Sequence, residues 1–97
     1  MKRHRDVNGD VEQGLDGADK LKILRLLLQS PNHAFTRYEI GKTVPNDATS
    51  IRNDLQTLVT LNWVTAMQAH HLHKYVINRE REVVQQLATF LKATQYL

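Results

Sequence analysis

The sequence contains no cysteine, which removes disulfides, thiolate metal sites and thiol catalysis together. It has no run of about 18 apolar residues, so no membrane partner is expected. Lys2, Arg3 and Arg5 near the amino terminus have no apolar stretch behind them, and a secretory signal is not expected either. A nucleophile elbow, a phosphate loop and a His-Glu-x-x-His pattern are all missing, so the chain reads as a non-enzyme without a cofactor. Ninety-seven residues can bury one modest core, and a chain this small gains from association.

Charge is distributed unevenly. Residues 1–19 hold three Lys or Arg against five Asp or Glu, whereas residues 20–97 hold ten against five. The body of the chain is therefore basic, which suits a polyanionic partner, although a solvated surface without a partner has the same composition. Residues 1–17, with Gly9, Gly14 and Gly17 and little apolar content, read as a flexible arm ahead of a single domain over residues 18–97. Lys2, Arg3, His4 and Arg5 in that arm would suit a minor groove or phosphates, or form a tail without a role.

From Phe35 onward the residues spell out a sequence of local structures. Thr36 and Glu39 form a capping box, with Phe35 and Ile40 placed as a hydrophobic staple, so a helix begins at Thr36. Gly41 weakens that helix, and Pro45 disfavours helical geometry at Val44. A second helix starts with Asn46 or Asp47 as its cap. Ile51, Leu55, Leu58 and Val59 recur on its buried face, and Asn46, Thr49, Ser50, Asn53, Gln56, Thr57 and Thr60 occupy the opposite one, with Arg52 at the flank. Two helices joined by about four residues make a helix-turn-helix. Trp63–Met67 and Leu72–Ile77 then read as strands of a hairpin across a loop from Gln68 to His71, and Ala34 and Phe35 as a short third strand.

A hairpin directly after such a helix is a wing, and the residues resemble the winged helix-turn-helix regulators of the MarR, ArsR and PadR type. The segment ATSIRNDLQTLVTLNWVTAMQ is similar to that family's recognition helix ending in Leu-x-x-x-Gly-hydrophobic-Val, with Leu58, Trp63 and Val64 on matching positions. Asn62 stands where the family has glycine, and asparagine tolerates left-handed backbone better than most residues. The resemblance spans about Ala18 to Gln95. It implies a mainly α fold with a small β-hairpin, a carboxy-terminal dimerisation helix, and duplex DNA as partner in the cytoplasm, on the nucleoid.

The site residues follow from chemistry. Thr49, Ser50, Asn53 and Gln56 offer the paired donors and acceptors that read base edges. Arg37, Lys42, Arg52 and the wing residues His70, His71 and Lys74 are placed to meet the DNA backbone. Tyr38 joins Arg37 and Lys42 as a possible phosphate contact. His71 and His73, with His70 and His33, also raise a zinc site, but no Asp or Glu lies between Asp54 and Glu80 to complete it, and no metal is assigned.

Both terminal helices carry more apolar residues than one stripe requires. The first, Asp19 to Gln29, ends at Ser30, Pro31 and Asn32. The last, with Asn78 as its cap, has one row of Val83, Leu87 and Phe90 and another of Val84, Ala88 and Leu91. Ile23, Leu26, Val84, Ala88 and Leu91 are expected to face a second copy, a broad intramolecular contact being the other reading. Two rival functions stay open: a protein-interaction adaptor, favoured by a recognition helix whose one basic residue is Arg52, and an architectural or plasmid-partition protein that coats DNA.

Overall fold

The computed structural model describes residues 12–97. Helix α1 (Ala18–Gln29) is followed by strand β1 (Phe35–Thr36), helices α2 (Arg37–Thr43) and α3 (Ala48–Thr60), strands β2 (Val64–Ala69) and β3 (Leu72–Ile77), and helix α4 (Glu82–Ala93). The three strands form one antiparallel sheet in the order β1-β3-β2.

Local chemistry sets each boundary. The capping box is complete: Thr36 Oγ1 accepts from the Glu39 amide at 3.1 Å, and Glu39 Oε1 accepts from the Thr36 amide at 2.8 Å. Helix α2 stops at Val44, which is extended ahead of Pro45 and whose amide donates to the Ile40 carbonyl. Asp47 caps α3 by accepting from the Ser50 amide at 2.8 Å. At the far end of α3, Asn62 adopts φ 64° and the Trp63 amide reaches back to the Leu58 carbonyl at 3.0 Å. This is a Schellman stop with asparagine in the position glycine usually fills, and Leu58 and Trp63 are both buried beside it.

The hairpin is tighter than the expected four-residue loop. Ala69 pairs with Leu72, and His70 and His71 alone make the turn, at φ 51° and 68°. Two positive φ values in succession are what a two-residue type I′ turn needs, and they extend β2 through Gln68 and Ala69.

The core gathers Leu24 and Leu27 from α1, Ile40 from α2, Ile51, Leu55 and Leu58 from α3, Trp63, and Val64, Tyr75 and Ile77 from the sheet. This is the mainly α winged helix-turn-helix architecture that the sequence implies. Of the expected arm, residues 1–11 lie outside the described residues. Residues 12–14 are helical, and Gly14 is buried with the Trp63 ring so close that a Cβ would overlap it. Packing thus begins ahead of Ala18, and this glycine supplies close approach rather than flexibility.

The terminal helices require a correction. Ile23, Val84 and Leu91, expected to face a partner, are 0%, 1% and 4% exposed within the single chain. Leu26 is half-buried against the core, and Ala88 is half-buried too. The reason is position: α1 lies against both α3 and β3, so it buries more than one stripe. Val84 and Ala88 meet Leu28 and Pro31 at the end of α1 around one shallow groove. The other row of α4 is the wetter one, with Val83 and Leu87 half-buried and Phe90 62% exposed. Asn78 does not cap α4. Its Oδ1 accepts from the Glu80 amide in a local turn and its Nδ2 donates to the Asn62 carbonyl, while the helix begins later with Arg81 as its N-cap residue.

Candidate nucleic-acid interface

Helix α3 turns its apolar row inward so completely that Ile51, Leu55 and Leu58 are at most 3% exposed. The helical repeat then forces Thr49, Arg52, Asn53 and Gln56 outward, and all four are exposed. Among the described residues, the side chains of Thr49, Arg52 and Asn53 have no hydrogen-bond or ion-pair partner, and that of Gln56 makes only a 3.5 Å contact with Thr60. Ser50 differs from expectation. It is half-buried, and its Oγ lies 3.2 Å from Asp47 Oδ2, so its hydroxyl serves the helix cap.

Helix α2 crosses α3 and leaves a cleft of about 550 Å³ between them. Arg37, Tyr38, Lys42, Asn46, Thr49 and Arg52 are among its lining residues, and no carboxylate is. Three cations that no carboxylate pairs with among the described residues make this face electropositive. Tyr38 is 74% exposed, with Lys42 Nζ 5.3 Å from its ring centroid. The sequence marks Tyr38 as a phosphate contact beside Arg37 and Lys42. Its signal is a large aromatic at a position that a short amphipathic helix turns to solvent.

Polar ties hold α3 at its angle to α1. Asn46 Nδ2 donates to Asp19, and Lys20 Nζ lies 3.8 Å from Asp54, on the inner flank of α3. Burial raises the Asp54 carboxyl above the ordinary aspartate range, Lys20 opposes this, and Asp19 and Asp16 add to it. The caps are shifted the other way. The Thr36 amide holds the Glu39 carboxyl below its ordinary value, with His33 at 3.5 Å contributing, and the Ser50 amide does the same for Asp47.

The wing presents two unlike faces. Val64, Ala66, Tyr75 and Ile77 alternate onto the core side, while Thr65, Met67, Lys74 and Val76 share the outer side in paired register. Lys74 is half-buried there, between Met67 and Thr36 on the flanking strands. Met67 and Leu72 are 43% and 53% exposed, an apolar strip that the strand alternation could have revealed. His70 and His71 sit exposed in the turn and His73 pairs across from Gln68. Among the described residues, no group of three His, Asp or Glu is arranged to hold a metal ion.

Comparison with known proteins places this arrangement. No protein-family model matches the chain, and no curated protein matches it in sequence. Solved structures do match in fold. HlyU from Vibrio cholerae superposes with a TM-score of 0.80 at 13% identity, covering 100% of both chains. The transcriptional repressor BigR from Xylella fastidiosa gives 0.76 at 14% identity, covering 97% of this chain and 91% of that one. A homodimeric winged helix-turn-helix DNA-binding domain from Mycobacterium bovis, described as a possible ArsR-family transcriptional regulator, gives 0.72 at 21% identity over 98% of this chain and 86% of that one. The described residues have the fold of these proteins. Among the described residues, no helix is long and apolar enough to cross a membrane.

Proposed function

We propose that this chain binds duplex DNA sequence-specifically as a homodimeric transcription regulator, working in the cytoplasm on the nucleoid. The observation that carries this reading is the outer face of α3, where Thr49, Asn53 and Gln56 are exposed beside Arg52, Arg37 and Lys42. Amides and hydroxyls that a fold leaves without internal partners are available to base edges, and the flanking cations suit phosphates. In this reading Asn53, Gln56 and Thr49 read bases, Arg37, Lys42 and Arg52 hold the backbone, and His70, His71 and Lys74 meet it from the wing. Ser50 supports the cap and contributes to readout only indirectly.

The dimer is formed by the wetter row of α4, centred on Phe90, together with Leu26. An exposed aromatic flanked by half-buried Val83 and Leu87 is the kind of patch a second copy covers. A twofold pair would set two recognition helices about one DNA turn apart, roughly 34 Å or a multiple, on an inverted repeat. The test is titration of random and selected duplexes at two salt concentrations. A regulator binds random DNA weakly with a steep salt dependence and needs a selected inverted repeat for tight binding. Cooperative coating of random DNA would show an architectural protein, and no salt-sensitive binding would show an adaptor.

A further inference from the structure

The strand order β1-β3-β2 leaves β2 with one free edge, and hydrogen-bond parity says which of its groups lie there. Ala69 and Leu72 close the two-residue turn, and at the far end the Asn78 amide donates to the Trp63 carbonyl at 2.9 Å. Bonded pairs alternate between these limits, so Thr65, Met67 and Ala69 bond to β3, while Val64, Ala66 and Gln68 turn their N–H and C=O groups away from it. Val64 is covered, at 1% exposed, but every residue from Thr65 to Ala69 is exposed. Ala66 and Gln68 therefore carry the accessible backbone groups of this edge.

Edges of this kind are ordinarily guarded by a lysine, a proline, an inward charge or a bulge. Strand β2 reads VTAMQA, with no charge and no proline, and its register with β3 runs from Val64 to Ala69 without a bulge. Met67 on β2 and Leu72 on β3, 43% and 53% exposed, continue the edge as an apolar strip on the outer side of the wing.

We propose that this edge pairs with β2 of a second copy of this chain, antiparallel and about a twofold axis through Met67. In that register Ala66 of each copy faces Gln68 of the other and the two exchange backbone hydrogen bonds, while Met67 meets Met67 and Thr65 meets Ala69. A pair centred on Ala66 would need the covered Val64, and one centred on Gln68 would need His70, which is in the turn at φ 51°. Charge also selects a copy. A foreign strand chosen for its charge would need a charge on β2 to answer, whereas a second β2 is neutral. Lys74 pairs with Met67 across the hairpin. The two Lys74 positions thus end three strand spacings apart, about 14 Å, which exceeds the Debye length of about 8 Å. The two turns of His70 and His71 lie at opposite ends of the pair.

An edge about 17 Å long and about 10 Å thick is well under the roughly 600 Å² per partner of a stable complex. The contact therefore joins copies already held close together. It uses no residue of the α4 row and covers neither face of the sheet, so Phe90 and Lys74 stay open. Copies joined alternately through α4 and β2 would form an open row. Such a row along DNA rests on the proposed function, but the strand pair itself does not.

The test exploits the absence of cysteine. Opposite residues of a non-hydrogen-bonded antiparallel pair have Cα atoms about 4.5 Å apart, within disulfide reach. In the DNA-free full chain at millimolar concentration, Met67→Cys should cross-link to itself under copper phenanthroline at least tenfold faster than Leu72→Cys, which is more exposed but would lie several strands from its copy. Thr65→Cys and Ala69→Cys should each link slowly alone and rapidly when mixed, which fixes the register. Amide NMR spectra of the unmodified chain should show concentration-dependent shifts centred on Ala66 and Gln68. Met67→Lys, which opposes two charges at the axis without touching the core, should remove them. Equal cross-linking of Leu72→Cys, rapid self-linking of Thr65→Cys, or an absence of concentration dependence at Ala66 and Gln68 would each overturn the proposal. So would shifts that persist in Met67→Lys. Because no DNA is present, failure here leaves the DNA reading standing, and failure of the duplex titration leaves this one standing.

Discussion

Helices α3 and α4 are nearly equal in length, 13 and 12 residues, and both are amphipathic, yet they divide their surfaces in opposite ways. Helix α3 buries one clean apolar row and, among the described residues, leaves the Asn53 amide, the Thr49 hydroxyl and the Arg52 guanidinium without internal partners. Helix α4 buries Val84 and Leu91, half-buries Val83, Leu87 and Ala88, and leaves Phe90 wet. Unused polar groups on a rigid helix are a resource for reading another polar surface. Unused apolar area is a resource for association. In the proposed function the two helices accordingly serve different partners, α3 a nucleic acid and α4 a second copy.

The largest effect should come from striking the buried row of either helix. Leu55→Ala, at a 0% exposed position, should cost about 2–5 kcal/mol of stability. Leu91→Glu should cost at least as much, because it forces an unpaired charge into a site only 4% exposed. Denaturant unfolding followed by fluorescence of the sole tryptophan, Trp63, buried in the core, reads both variants. If Leu91→Glu unfolded at the same denaturant concentration as the unmodified chain, Leu91 would lie at a surface and the division of α4 would have to be redrawn.

Next comes the exposed row. Phe90→Glu changes a residue that the fold does not need inside, so the unfolding midpoint should barely move while light scattering reports a monomer. Loss of an aromatic anchor of this kind costs about 2 kcal/mol or more of association. A Phe90→Glu variant that stays dimeric would move the interface elsewhere.

The same contrast explains what was legible in the sequence. The two helices between Thr36 and Leu58 and their buried face were, because capping residues, Pro45 and the spacing of Ile51, Leu55 and Leu58 act locally. Asn62 was legible too, since a left-handed stop restricts residue choice. Helix α4 was not. Two apolar rows on one helix do not say which row the body takes; Val84 joins a core built by residues far away in the chain, while Phe90 stays 62% exposed. Gly14 is ambiguous for a related reason: a glycine that permits contact with Trp63 is spelled the same way as one in a loose tail. In the candidate site, the exposure of Asn53 and Gln56 followed from periodicity, but the capture of the Ser50 hydroxyl by Asp47 is a side-chain geometry that periodicity does not encode.

The polar face of α3 can be tested against its own flank. Asn53→Ala should cost about 1–3 kcal/mol on a selected duplex and little on random DNA, because Asn53 stands opposite the buried row. Arg52→Ala should weaken both duplexes alike. Equal losses on the two duplexes for Asn53→Ala, measured by fluorescence anisotropy, would remove it from base readout. On the wing, Lys74→Ala should have a smaller effect, lowering the salt slope by about one phosphate contact. An unchanged slope would detach the outer wing face from DNA.

The smallest expected effect concerns pH, and it separates the caps of the motif from its tie to α1. Glu39 and Asp47 have carboxyl pKa values below their ordinary 4.5 and 3.8, held there first by the amides of Thr36 and Ser50. A depressed acid stabilises the fold above its unfolded value and loses that contribution as pH falls through the folded one. Stability from the caps should therefore be complete above about pH 4.5 and decline below it. Asp54 works in the opposite sense, since burial raises its pKa and protonation relieves a cost, so it offsets part of the acid loss. Asp47→Asn keeps a capping oxygen but removes the charge, and should leave neutral-pH stability nearly unchanged while flattening the fall in Tm between pH 5 and 3. Asp54→Asn should steepen that fall instead. Identical pH profiles for both variants would mean that cap and tie titrate alike, and the electrostatic distinction between the outer and inner flanks of α3 would be lost.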